Sequence, residues 1–172
     1  MSDVPLPEGS QHIAPYVYYD DPRAATAFLC DVFGFEQTMM LEWPDGEVAH
    51  AEVSLNGERI LIGYADPDFG LSTPDRLGAQ HTVLCVYIED VDAHCAHATT
   101  AGAEIVRQPA DQFYGSRAYT VRDCEGMLWE FRQHLREPSH DALTESLAGL
   151  ARAIGRYGGG APGRGAARHY SP

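Results

Sequence analysis

At 172 residues, with 44% hydrophobic side chains and a net charge of −13, the chain suits one globular domain or two small fused modules. Residues 1–136 carry 8 Arg against 22 Asp and Glu, while residues 137–172 carry 4 Arg against 3, so the body is acidic; it repels nucleic acid and anionic membrane, and the charge either draws a cationic ligand or serves solubility alone. The absence of lysine excludes Schiff-base chemistry and lysine nucleophiles, and no stretch has the apolar length of a membrane helix.

The start, MSDVPLPEGSQ, has neither a basic nor an apolar signal region, so a cytoplasmic location is expected. Residues 1–12 read as an N-terminal arm. An internal repeat follows, one unit over residues 13–64 and another over 81–136. Each unit opens on a strand-like run rich in β-branched and aromatic residues, APYVYYD and HTVLCVYIED. Each run ends at an aspartate that can cap a helix. Asp21 precedes Pro22 and the helix AATAFLCDVF, which Gly34 stops; Asp90 precedes VDAHCAHATTA, which Gly102 stops. Three strands are then expected in each unit. The first unit's run over 38–43, 48–55 and 59–64, with Pro44-Asp45-Gly46 and Asn56-Gly57 as turns. The second unit's run over 104–108, 117–122 and 128–133, with DCEG at 123–126 as the last turn. Residues 65–80 hold Pro67, Gly70, Pro74 and Gly78 and read as a linker. Beyond His134, residues 137–157 read as an added helix, capped by Ser139 or Asp141, with Leu143, Leu147, Leu150 and Ile154 on one stripe. Residues 158–172, rich in Gly and Arg, read as a disordered tail.

Cys30, Cys85, Cys95 and Cys124 have no zinc-site spacing and are expected to be reduced, with Cys30 and Cys85 in apolar runs of the kind that bury thiols. His94 and His97, three apart on a helix, read as a solvated face. A Ser-His-Asp arrangement, a phosphate-cradling loop and a dinucleotide fingerprint are all absent as sequence signals.

The repeat, the stretch YGSRAYTVRDCEGMLWEF (114–131), and the runs PYVYYDD…FGF and HAEVSLNGERILIG resemble the vicinal oxygen chelate superfamily, in its glyoxalase/bleomycin-resistance branch. The resemblance covers residues 13–134. It implies an α+β fold in which two tandem βαβββ modules form a cupped, barrel-like mixed sheet. That scaffold hosts lyases, isomerases, dioxygenases, thiol transferases and drug-binding proteins, so it implies fold more strongly than function. Metal-dependent members place a histidine near the start of each first strand and a glutamate in each last strand. The matching positions are Ala14, Val83, a residue near Ile62 or Gly63, and Glu130. One carboxylate does not make a metal site, and no cofactor is expected. If a divalent metal is held, the candidates are Glu130, His81 and His50, with Glu52 beside His50.

Strand parity directs Tyr16 and Tyr18, then Val83, Cys85 and Tyr87, then Leu128, Glu130 and Arg132 into the cup, with Trp129 and Phe131 packed under a helix. Ligand-binding candidates are therefore Tyr16, Tyr18, His50, Glu52, His81, Val83, Cys85, Tyr87, Arg117, Leu128 and Glu130, although the tyrosines would serve equally as interior filling. Glu130 reads either as a general acid or base, the one catalytic candidate, or as an inert ion pair with Arg117 or Arg132. The expected function is metal-independent binding that sequesters a small aromatic or cationic metabolite or antibiotic. The alternative is a metal-dependent lyase, isomerase or dioxygenase with a displaced site around Glu130. A homodimer is expected, with no nucleic-acid or membrane partner.

Overall fold

The computed structural model describes residues 11–153. The expected arm therefore falls almost wholly outside the described residues, as do Ile154 and the Gly/Arg-rich tail. The first unit runs β1 (Tyr16–Tyr19), α1 (Pro22–Phe33), β2 (Glu36–Glu42), β3 (Val48–Leu55) and β4 (Glu58–Tyr64). A 3-10 turn at Pro67–Phe69 and the short α2 (Pro74–Leu77) lie between the units. The second unit runs β5 (Leu84–Tyr87), α3 (Val91–Thr100), β6 (Ile105–Asp111), β7 (Ser116–Arg122) and β8 (Leu128–His134), and α4 (His140–Ala153) follows.

Each unit forms its own four-stranded mixed sheet, ordered β1-β4-β3-β2 and β5-β8-β7-β6. The first strand of each unit pairs in parallel with the last, and the other pairs are antiparallel. This is the α+β, twice-βαβββ architecture. Asp21 accepts from the backbone N–H groups of Arg23 and Ala24, Pro22 occupies the first helical position, and Gly34 closes α1 at φ 74°. In the second unit Asp90 accepts from Ala93 N–H; Ala101 caps the end of α3, and Gly102 makes the left-handed turn one residue beyond the cap. Asn56 and Gly57, both at positive φ, turn β3 into β4 as their type predicts.

One core joins the two units. Ala25, Leu29, Val32 and Phe33 of α1 and Val91, Cys95 and Ala98 of α3 pack against Ile62, Val121, Trp129 and Phe131. Phe33 lies across Phe131 at 5.1 Å and Phe35 across Trp129 at 5.7 Å. His94 corrects the expectation of a solvated helix face. It is half-buried, with Nδ1 2.6 Å from the Tyr119 hydroxyl and Nε2 3.1 Å from the Phe33 carbonyl. His97 Nε2 reaches the Asp31 carbonyl at 2.8 Å, so both imidazoles satisfy carbonyls at the end of α1.

α4 starts where Ser139 Oγ accepts from Ala142 N–H, settling the cap on Ser139. Among the described residues it packs against no other helix or strand. Two of its leucines are left open, Leu147 at 54% and Leu150 at 48% exposed, while Leu143 is half-buried.

Candidate functional site

Period two and the ladder register decide which side chains share the open face of each sheet. In the first sheet, β1 alternates between buried Val17 and Tyr19 on the helix side and Tyr16 and Tyr18 on the other. The rings of Tyr16 and Tyr18 stack at 4.7 Å, 11° from parallel. Across the sheet Ala51 pairs with Ile62, which sets His50 opposite Gly63. A Cβ at Gly63 would stand 2.9 Å from Tyr16 Cε2, so glycine is what lets the Tyr16 ring lean across β4. The Tyr16 hydroxyl thereby comes 3.0 Å from His50 Nδ1. His50 Nε2 lies 3.2 Å from Glu52 Oε1, and Glu52 Oε2 lies 2.9 Å from Arg59. The face therefore carries a Tyr16–His50–Glu52–Arg59 chain. Met39 and Leu41 of β2, opposite Glu52 and His50, extend it as exposed apolar surface.

The second sheet holds a more compact cluster. Cys85 pairs with Glu130 and Tyr87 with Arg132. Arg132 Nε donates to Glu130, and its guanidinium lies over the Tyr114 ring at 4.8 Å from the centroid. Desolvation pulls the Arg132 pKa down, but hydrogen bonds to Glu130 and Tyr87 more than offset it, so this cation is permanent. Desolvation and then the Glu130 charge push the Tyr114 hydroxyl up. Desolvation likewise raises the Cys85 thiol against the pull of Arg132, so Cys85 is not an activated nucleophile.

Several expectations need correction. Arg117 is not on the cup face. It pairs with Gln133 rather than Arg132, one residue out of phase with the cup, and its guanidinium is held on the helix side by Asp92 and Asp111 at 2.7 and 2.8 Å. Of the two partners weighed for Glu130, the neighbour is Arg132. His81 is not on the fifth strand, which begins only at Leu84; it sits exposed in a bend, because the Gln80 side chain there bonds Leu128 N–H and the Thr82 carbonyl in place of a ladder. Val83 likewise precedes the strand and is exposed. Leu128 opens β8, half-buried opposite Arg122. Cys85 is exposed and Cys30 half-buried, while Cys95 is the buried thiol.

The register also relocates one of the four positions at which metal-dependent relatives keep a ligand. Cys85 pairs with Glu130, and the equivalent strand position, Tyr16, pairs with Leu61. The counterpart of Glu130 is thus Leu61, not Ile62 or Gly63. Ala14, Val83 and Leu61 offer no donor atom, and the Glu130 carboxylate is engaged by Arg132. His50 belongs to one sheet, Glu130 to the other, and His81 to the bend that precedes β5. Among the described residues no three His, Cys, Asp or Glu side chains gather as a metal would require. The residues present do not fit a divalent ion.

Between β1, the linker and the start of β5 lies a cleft of about 470 Å³. Its walls include Tyr16, Tyr18, Leu71, Leu84 and Met127, with His81 at one side, and no Asp, Glu or Arg among the described residues lines it. A neighbouring cleft of about 420 Å³, between the β3–β4 turn and β5, includes Glu58, Arg59 and Tyr87. Sequence reasoning missed Arg59, Gly63, Tyr114 and the linker wall. Arg59 and Gly63 were accessible by counting alternate residues from the Asn56-Gly57 turn; Tyr114 lies in a turn, where no periodicity aims a side chain.

Two βαβββ units with open-faced mixed sheets and one shared helical core define the glyoxalase/bleomycin-resistance fold. The chain belongs to the Glyoxalase/Bleomycin resistance protein/Dioxygenase superfamily, whose model matches residues 9–131. An uncharacterised protein of Mycobacterium bovis is 30% identical over 79% of this chain and 91% of its own length. Among solved structures, TioX from Micromonospora sp. ML1 is 34% identical, with a TM-score of 0.60 over 73% of this chain and 100% of its own. TnmS3, an antibiotic-binding protein from Streptomyces sp. CB03234, shares the fold at 20% identity and a TM-score of 0.57, over 73% of this chain and 97% of its own.

Proposed function

We propose that this chain is a metal-independent small-molecule-binding protein that sequesters an aromatic metabolite or antibiotic on its open sheet faces. One observation carries the reading. Glu130, the sole donor among the positions where metal-dependent relatives keep ligands, is closed into a network with Arg132. Both open sheet faces keep aromatic rings, with Tyr16 stacked on Tyr18 in the first sheet and Tyr87 and Tyr114 beside Arg132 in the second. Stacked rings bury ligand area at little cost in side-chain entropy. Both cup carboxylates are already paired, Glu52 with Arg59 and Glu130 with Arg132, so a cationic ligand would have to displace a guanidinium, and an aromatic one is favoured. That TnmS3, which shares the fold, is an antibiotic-binding protein agrees with this choice.

A second copy of the chain fits the same reading. Tyr16, Met39 and Leu41 on one open face and Val83 and Tyr87 on or beside the other are exposed, each at 39% or more. Pairing of two chains would cover this apolar area and close the cups. The test is equilibrium dialysis of the full chain against a panel of aromatic antibiotics and metabolites, with and without chelator, followed by recovery of the ligand. The proposal expects unchanged ligand and no effect of chelator. Conversion of the ligand that stops on chelation would establish the lyase, isomerase or dioxygenase reading in its place.

A further inference from the structure

We infer that the free edge of β1, with the cleft beside it, is a second binding site, distinct from the open sheet faces, and that it takes an uncharged molecule with an extended, peptide-like amide backbone and apolar side groups.

The ladder decides what this edge offers. β1 ends its sheet and pairs only with β4. Leu61 N–H donates to the Pro15 carbonyl at 2.9 Å, and Ala65 N–H donates to the Tyr19 carbonyl at 2.8 Å. Successive residues of a strand turn their N–H and C=O groups to opposite edges. Pro15, Val17 and Tyr19 therefore serve β4, and Tyr16 and Tyr18 turn theirs outward. Among the described residues no backbone group pairs with those outward groups. An amide N–H only donates and a carbonyl only accepts, so the pattern offered to a ligand is fixed by covalent structure.

The cleft of about 470 Å³ follows that edge. Its lining includes four consecutive residues, Pro15 to Tyr18. A space over one face of a strand meets alternate side chains; one that meets every residue runs along the edge. Leu71, Leu77 and Gln80 line it from the linker. No Cα of α2 or β5 comes within 8 Å of a Cα of β1. Neighbouring strands lie about 4.8 Å apart, so one extended chain has room beside β1.

The linker wall is fixed before anything binds. Arg76 Nε donates to the Asp20 carboxylate at 2.6 Å, Asp75 N–H to the Glu125 carbonyl at 3.3 Å, and Leu128 N–H to the Gln80 side chain at 3.0 Å. Binding then costs little in ordering the site. An open edge matches the alternating donors and acceptors of another extended backbone. With no Asp, Glu or Arg among the described lining residues, a charged group would lose hydration and meet no opposite charge. An apolar, uncharged amide chain meets both conditions.

The probes are N-acetyl-L-phenylalanine methylamide and its diester counterpart, methyl 2-acetoxy-3-phenylpropanoate, in which oxygen replaces both N–H groups. Each is dialysed to equilibrium against the full chain. The diester is the more apolar, so a merely apolar cleft would retain it better. Pairing with the edge reverses that order and holds the diamide tighter by roughly fivefold, the worth of one neutral hydrogen bond. Tyr18→Pro removes one outward N–H and leaves the β4 ladder intact, whereas Tyr18→Ala removes the same ring and keeps the N–H. Retention of the diamide should fall roughly fivefold further in Tyr18→Pro than in Tyr18→Ala. Amide hydrogen exchange by NMR needs no substitution: saturating diamide should slow Tyr16 and Tyr18 N–H in the natural chain and leave Val17 and Tyr19 unchanged.

Better retention of the diester, equal losses in two Tyr18 variants that keep the melting temperature, or no slowing at Tyr16 and Tyr18 would each overturn the inference. So would slow exchange at these two amides in the free chain that quickens on dilution, because a second copy would then cover the edge. If aromatic antibiotics are retained and the diamide is not, the edge site falls and the binding role stands. If the diamide is retained and no antibiotic is, the edge site stands and the role proposed for the open faces falls.

Discussion

Tyr19 and Asp123, 104 positions apart and in different repeats, are joined by a buried hydrogen bond of 2.7 Å from the tyrosine hydroxyl to the carboxylate. The same carboxylate accepts from Trp129 Nε1 at 2.9 Å and from the backbone N–H groups of Met127 and Glu125 at 2.9 and 3.0 Å. Next to it, the Glu125 carboxylate takes the backbone N–H groups of Asp20 and Asp21. The turn before β8 is thus the polar clasp between the modules. Asp123→Ala would leave a buried hydroxyl and indole N–H unmatched, each costing about 1–3 kcal/mol. Urea unfolding should show a loss of roughly 3–5 kcal/mol for Asp123→Ala and a smaller loss for Asp123→Asn, with the slope unchanged.

His94 gives the chain a pH-dependent stability. Burial is the largest influence and holds its pKa below the ordinary imidazole value; the Phe33 carbonyl pulls it up, and His97 pulls it down again. The folded pKa is thus lower than the unfolded one, so the folded protein favours the neutral ring. Its contribution is fully present above the unfolded value of about 6.5 and is lost as pH falls through that value toward the folded pKa. Melting temperatures of the natural chain and His94→Gln, taken from pH 8 to pH 5, should therefore converge at the acidic end. Parallel curves would show that His94 does not titrate in this window.

These two residues also mark where the sequence stops being legible. The open face of each sheet could be read because alternation is a local property: Tyr16 with Tyr18, Cys85 with Tyr87, and Glu130 with Arg132 all follow from period two. Arg117 was misjudged because its side depends on the β7–β8 register, and a slip of one residue reverses the face. Leu61 was overlooked as the counterpart of Glu130 for the same reason. Asp123 is recognisable as a turn residue, but its partner Tyr19 is chosen by the docking of two modules, which no local pattern encodes. His94 looked solvated because its own helix supplies little that is apolar; what buries it comes from α1 and from Phe131, 4.2 Å away.

α4 should be separable from the fold. No helix or strand among the described residues packs against it, and none of its side chains is buried. Cutting the chain after Pro138, which keeps the contact of that proline with Gly115, should leave the melting temperature unchanged to within the reproducibility of a scan. A fall of several degrees would mean that the exposed leucines of α4 are covered in solution, and sedimentation of the two forms would then show whether a second chain covers them.

This member of the superfamily is proposed to bind its ligand without a metal. That reading is tested most directly by elemental mass spectrometry on protein purified without an affinity tag, before and after chelation and after re-exposure to Zn, Ni, Mn and Fe. No stoichiometric divalent metal and no uptake are expected, because the side chains of Ala14, Val83 and Leu61 supply no donor and Arg132 engages Glu130. Near-stoichiometric metal, lost in Glu130→Gln, would contradict it and make Glu130 a ligand.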